Sequence, residues 1–326
     1  MNPSPKRVLL AGATGYIGRA VAAELSRRGH EVTPILRPCA HRSTAPSRPL
    51  PDGGRTVLTE LVDADASALA LPPVDAVVSC MASRSGVAED AWRVDYGANA
   101  NLLAAARRAG ARHFLLVSAI CVQKPRLAFQ HAKLAFEADL ARAGVDYTIV
   151  RPTAFFKSLA GQVERVRHGR PFVLFGDGTA TACKPIGERD LARFIADCLE
   201  DPRCRDRILP VGGPGGAITP RRQGELLFEL TGRRPRFRHV PVRIFDAAQA
   251  VLAPLGRVSR ACAAKAELAR IGRYYATESM LVWDPRTGRY DAAATPEYGT
   301  ETLRDFYRRV LERGLAGQEL GAHKLF

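Results

Sequence analysis

The chain has 326 residues, is 46% hydrophobic and carries a formal net charge of +15. That is ample for a large core, and no apolar run reaches bilayer length, so a spanning helix is not expected. The seven cysteines form no C-x-x-C pair, which fits neither a disulfide framework nor a metal or iron–sulfur site.

The first strand pattern, Val8-Leu9-Leu10-Ala11, stops at Gly12-Ala13-Thr14-Gly15-Tyr16-Ile17-Gly18, and a helical pattern begins at once. In this G-x-x-G-x-x-G turn, Gly12 permits the sharp reversal. Gly15 lets the backbone approach a pyrophosphate, and Gly18 lets the helix lie close on the strand. The free N–H groups of the helix N-terminus then face phosphate. Residues 31–36 predict a second strand, weakened by Pro34. Arg37 stands at its end, where an acid would bind a ribose diol and an arginine accommodates a 2′-phosphate. With Arg42 following, the pattern favours NADPH over NADH.

Residues 38–55 read as a loop rich in Pro, Ser, Arg and Gly. Strands are predicted at 56–61, ending near Asp63, and at 74–80, 113–118 and 147–150, the last running into Arg151-Pro152-Thr153. Helices are predicted at 92–110 and 127–144. Strands alternating with helices imply an α/β fold with a doubly wound parallel sheet, and ligands bind at the carboxyl ends of its strands. That rim gathers Gly12–Gly18, Arg37, Asp63, Ser118 and Thr153.

Beyond residue 156 the alternation loosens. A strand and turn at 171–178, a helix at 188–199 and a strand at 207–211 lead to Gly212-Gly213-Pro214-Gly215-Gly216, which reads as a hinge or boundary. Helices follow at 222–230, 245–255, 259–271 and 300–313, with a short strand at 279–285. The expected division is a dinucleotide-binding domain over 1–212 and a smaller helix-rich substrate lobe over 213–326, to which 156–184 contributes. The positive charge is dispersed with no nucleic-acid motif, so its targets are phosphates, carboxylates or an acidic membrane face, and nucleic acid is not expected.

The GATGYIG turn, the helix Asp95-Tyr96-Gly97-Ala98-Asn99-Ala100-Asn101, Ser118 at a strand end and Arg151-Pro152-Thr153 resemble the atypical or extended short-chain dehydrogenase/reductases. The second half is more specific. Residues 274–281 (YYATESML), 295–300 (TPEYGT) and 314–321 (GLAGQELG) resemble the tail of divinyl chlorophyllide 8-vinyl reductases. Residues 151–157 (RPTAFFK) and 175–184 (FGDGTATACK) are similar to that family too. The resemblance implies a Rossmann fold and NADPH-dependent reduction of the 8-vinyl group of a divinyl chlorophyllide or protochlorophyllide, in (bacterio)chlorophyll synthesis. It also implies an acid near the adenine at Asp63 and a helix asparagine at Asn101. No apolar leader precedes the first strand, so neither a secretory signal nor a transit peptide is expected. A cytoplasmic protein, at most peripheral to photosynthetic membranes, is the expectation.

Most short-chain reductases carry a tyrosine four residues before a lysine on one helix; the tyrosine protonates an oxyanion and the lysine holds the nicotinamide ribose. Here Lys133 is kept and the tyrosine is replaced by Phe129, which has no proton to give. Carbonyl reduction and sugar epimerisation are therefore disfavoured. Reduction of a conjugated vinyl group forms no fixed oxyanion, and its proton comes from water or a nearby acid. Lys133 is the expected catalytic and cofactor-positioning residue, and Phe129, Phe155 and Phe156 the expected walls of a flat pigment pocket. Tyr274 and Tyr275 are possible donors for which packing is the simpler role. A non-catalytic NADP(H)-binding redox sensor or assembly factor also fits the loss of tyrosine. A nucleotide-sugar epimerase or dehydrogenase fits it less well.

Overall fold

Seven parallel strands form the central sheet: β1 (Arg7–Ala11), β2 (Glu31–Leu36), β3 (Val57–Leu58), β4 (Ala76–Ser79), β5 (His113–Val117), β6 (Asp146–Pro152) and β8 (Arg207–Val211). They lie in the order β3-β2-β1-β4-β5-β6-β8. The computed structural model describes residues 4–38 and 55–314; Cys39, Arg42 and the tail motif beyond Gly314 lie outside them. Arg42 therefore receives no structural account.

Alternate side chains of β1 serve opposite faces, as the two-residue strand period requires. Val8 and Leu10 pack beneath helices Tyr16–Arg27 and Glu188–Glu200, whereas Leu9 and Ala11 pack beneath Asn99–Arg108 and Ala128–Ala141. Both faces of the sheet are thus dry, which is why its strands read as continuous apolar runs. Pro34 is tolerated inside β2, facing β1 in the parallel ladder opposite Leu10.

A third cluster is centred on Phe156, Leu174, Phe228 and Tyr307. It joins β7 (Phe172–Phe175), paired in parallel with β9 (Phe237–Val240), to helices Pro220–Thr231 and Leu303–Arg313. Helices Arg243–Leu255 and Arg260–Thr277 form a hairpin, and β10 (Val282–Asp284) pairs with β11 (Arg289–Asp291).

Several expectations are corrected. The strand at 56–61 shrinks to Val57–Leu58 at the sheet edge. The helix at 92–110 starts earlier, at Ala88, and carries a π turn over Trp92–Ala98. The helix predicted from 300 begins at Leu303, capped by Thr302, while Thr300 N–H donates to Asp190. Gly212 and Gly213 are no open hinge. Gly212 N–H donates to Pro296 O at 2.8 Å, and a Cβ on Gly213 would lie 2.0 Å from Pro185 O. These glycines mark a tight backbone crossing.

Candidate functional site

The strand–turn–helix at Gly12–Gly18 is set by backbone proximity. Gly12 takes φ +76°, and a Cβ there would lie 2.7 Å from the carbonyl of Cys80 at the end of β4. A Cβ on Gly18 would lie 2.1 Å from Gly12 O. Gly15 N–H donates to the same oxygen at 3.0 Å. The helix that follows has no side-chain cap and no acid in its first turn, so its leading N–H groups and positive dipole end are left for an anion. That is the cradle a dinucleotide pyrophosphate needs, and the residues present fit one.

The other residues of the turn have separate tasks. Thr14 is exposed, and its carbonyl accepts from Arg19 Nε at 3.0 Å. Ile17 is buried in the core beneath the turn. The Tyr16 hydroxyl donates to Glu188 at 2.5 Å, with the Lys157 ammonium 5.2 Å from its ring.

Around the rim, Arg37 is exposed beyond the end of β2, with its guanidinium engaged by none of the described residues. Asp63, held at φ +55°, is bound by Arg93, with Nε 2.9 Å from Oδ2; this hydrogen-bonded cation keeps the carboxyl below its ordinary range. Ser118 is buried at the end of β5, and its hydroxyl donates to Glu137, which also pairs with Arg151. The Thr153 hydroxyl donates to Lys184 O. The Ser118 and Thr153 hydroxyl protons are therefore spent within the protein.

Lys133 is buried on helix Ala128–Ala141, one turn beyond Phe129, and its Nζ sits 2.8 Å from Asp95 Oδ1. This is a charge pair without hydrogen-bond geometry at that oxygen. Asp95 comes from the π turn, which re-aims one carboxylate into the sheet's rim. Its other oxygen accepts from Ser83 N–H at 3.3 Å. Asn99 secures the turn by donating to Asp95 O at 3.1 Å while accepting from Ser79 Oγ at 2.6 Å. Asn101 instead donates to Leu61 O at 2.9 Å, tying the helix to the loop that carries Asp63.

The sequence did not announce the buried pairing of Asp95 with Lys133. A helical acid normally reads as solvated, and only its near-complete burial beside Lys133 marks it.

The three phenylalanines separate. Phe129 is half-buried and packs with Tyr275 and Ile271 against the cluster of Ile120, Cys121, Tyr274 and Met280. Phe155 is half-buried, its ring 6.4 Å from that of Tyr16 at the glycine turn. Phe156 is fully covered and stacks at 5.4 Å on Phe306 in the third cluster, so its ring offers no surface to a ligand. The strand end at 152–154 explains the split, because successive residues there leave toward different layers. Tyr274 donates to the carbonyls of Cys121 and Lys124 at 3.0 and 3.1 Å, which accounts for its hydroxyl as packing.

A parallel sheet ending in an uncapped glycine turn defines a Rossmann fold of the dinucleotide-binding class. Residues 12–202 match the family described as NAD(P)H-binding. A solved NADPH-dependent quinone oxidoreductase from Escherichia coli, complexed with NADPH, shares the fold. Its TM-score is 0.66 at 18% identity, covering 93% of this chain and 99% of that one. The chloroplastic divinyl chlorophyllide a 8-vinyl-reductase of Oryza sativa subsp. indica is 53% identical over 100% of this chain and 84% of its own length. The Zea mays protein of the same name is 50% identical over 99% and 84%. The chain belongs to the divinyl chlorophyllide a 8-vinyl-reductase family. These relatives are chloroplastic, which overturns the cytoplasmic expectation. That expectation rested on the lack of an apolar leader before β1, a feature that does not report a compartment. Identity of this order along the whole chain also disfavours the non-catalytic sensor.

Proposed function

We propose that this protein uses NADPH to reduce the 8-vinyl group of divinyl chlorophyllide or protochlorophyllide to ethyl, in chlorophyll or bacteriochlorophyll synthesis. The observation that carries the reading is identity of 50–53% with named 8-vinyl-reductases over the whole chain. Phe129 agrees with it, since an alkene conjugated to a macrocycle needs no phenol to protonate an oxyanion.

Bound NADPH would supply the hydride. The glycine turn binds its pyrophosphate, Arg37 its 2′-phosphate, and Asp63, released from or sharing Arg93, its adenine side. Lys133 holds the nicotinamide ribose, and Asp95 fixes the ammonium in place as a positioning residue. Phe129 and Phe155 offer flat apolar surface to the pigment. Residues 213–326, with 156–184, form the substrate lobe, and its Ile271 and Tyr275 pack against the same cluster as Phe129.

The test is optical. Purified protein, NADPH and divinyl chlorophyllide are mixed without flavin or ferredoxin, and the Soret band is followed. A blue shift to the monovinyl spectrum is expected. NADPH binding with no shift would replace the enzyme with the redox-sensor reading.

A further inference from the structure

The hairpin of Arg243–Leu255 and Arg260–Thr277 leaves one helix face without a partner. No residue of Arg243–Leu255 is fully buried. Its inner side is fixed by Phe245, whose ring would stand 2.5 Å from a Cβ on Gly272, and by Gly256 against Ala263. Its outer side carries Ile244, Val251 and Leu255, 51%, 64% and 48% exposed, and Val258 in the following turn is 88% exposed. Positions 244, 251, 255 and 258 fall on one stripe at helical spacing. Seven large hydrophobic residues are exposed among the described residues, and these are four of them. The stripe is therefore a concentrated patch, not scattered surface.

The charge around it is predominantly basic: residues 232–265 contain eight arginines and lysines, all exposed, and one acid, Asp246, while Glu267 beside Arg257 is paired with Arg270. The Asp246 carboxylate is already taken by Arg273 at 2.5 Å. Arg243, Arg257 and Arg260 bracket the apolar stripe at both ends. An apolar stripe rimmed by an excess of exposed basic side chains is complementary to an anionic bilayer surface, where the aliphatics enter the acyl boundary and the guanidiniums meet lipid phosphates.

We propose that this hairpin docks the protein on an anionic membrane, with Ile244, Val251, Leu255 and Val258 inserted. The second helix of the hairpin runs from the docking face to Ile271, Tyr274 and Tyr275 beside Phe129. The docking proposal stands independently of the vinyl-reductase reading, and its test uses no turnover.

The purified 326-residue chain is floated with vesicles of phosphatidylcholine, with and without phosphatidylglycerol. Binding to the anionic vesicles should exceed binding to the neutral ones by about tenfold or more, and fall steeply in roughly 0.5 M salt. The double variant Val251→Asp/Leu255→Asp should lose about tenfold in vesicle affinity while keeping its thermal melt and NADPH affinity. Arg243→Glu/Arg257→Glu should lose the preference for anionic lipid with the stripe intact. Equal binding to both vesicles, or undiminished binding by the aspartate variant, overturns the proposal. So does a wild-type dimer that the aspartate variant converts to monomer with no vesicle binding by either, which would make the stripe an interface between copies.

Discussion

The cofactor end of the molecule and the 243–277 hairpin solve opposite problems. At the cofactor end, backbone meets backbone: Gly18 lies so close to Gly12 O that no Cβ fits, and the charged pair Lys133–Asp95 is buried. In the hairpin, a whole helix has no buried residue and its aliphatics face outward. The first arrangement fixes a ligand's position because nothing there can move cheaply. The second derives little stability from what it exposes, so its apolar face is kept for something outside the chain. Substitutions should therefore cost stability at one end and association at the other.

The largest effect is expected where charge is buried. Lys133→Met leaves Asp95 enclosed without its cation, which should cost about 3–5 kcal/mol in denaturant unfolding. The double variant Asp95→Asn/Lys133→Met should recover most of that stability, yet keep an NADPH affinity reduced about tenfold, which fluorescence titration would read. Recovery of NADPH binding along with stability would reduce Lys133 to a structural residue. Gly18→Ala comes next. Its methyl must displace Gly12, at a cost of about 1–3 kcal/mol, and weakened NADPH binding should accompany the loss. A Gly18→Ala protein with both properties intact would mean that the turn is looser than the 2.1 Å approach implies.

Much of this end was legible in the sequence. The glycines, the strand alternation and Lys133 follow from local spacing and from backbone requirements that act within one βα unit. Arg37 and Phe129 could be placed for the same reason. What escaped depends on the third dimension. Asp95 meets Lys133 only because it sits on a π turn, where it is buried against a lysine from another helix. The pairing of Phe156 with Phe306 joins segments 150 residues apart in the chain, and no spacing rule announces that. Gly212–Gly213 looked like a hinge because a glycine run marks either freedom or crowding. Only the crossing segment at Pro185 shows that it is crowding. In the hairpin, helices were foreseen, but periodicity alone cannot say whether an apolar stripe faces inward or out.

A test at the opposite, amino-terminal edge of the sheet uses pH. His113, the first residue of β5, is buried there, and burial pushes its imidazole down to about 4, with the Lys6 and Arg205 charges adding to the effect. Thr148 gives its hydroxyl proton to Cys204 O, so toward His113 it accepts from Nε2–H at 2.9 Å. Nδ1 is buried without a partner, and a second proton there would have no acceptor. The folded-state pKa lies below the unfolded value of about 6.5, so the unfolded chain takes up the proton first as pH falls. This contribution is complete above the unfolded pKa and is lost progressively down to about 4. Between about pH 7 and pH 5 it should remove about 2 kcal/mol from the unfolding free energy. Urea titrations at both pH values, with His113→Gln as the control whose pH slope is flatter, would measure it.

The smallest expected effect is the one that would most directly break the contrast. Val251 is 64% exposed, so trimming it to alanine in Val251→Ala removes methyl groups that water already reaches. Alanine is also the better helix former, which offsets the lost contacts. The unfolding free energy should stay within about 0.5 kcal/mol of the parent. A cost of about 2 kcal/mol or more, the range seen when buried aliphatics are cut back, would show that the residue is covered in solution by a second copy or another part of the chain. In that event the hairpin would be core like the rest, and the distinction between a fixed end and an offered face would fail. A silent Val251→Ala in unfolding that still weakens vesicle flotation would instead separate stability from association at one residue.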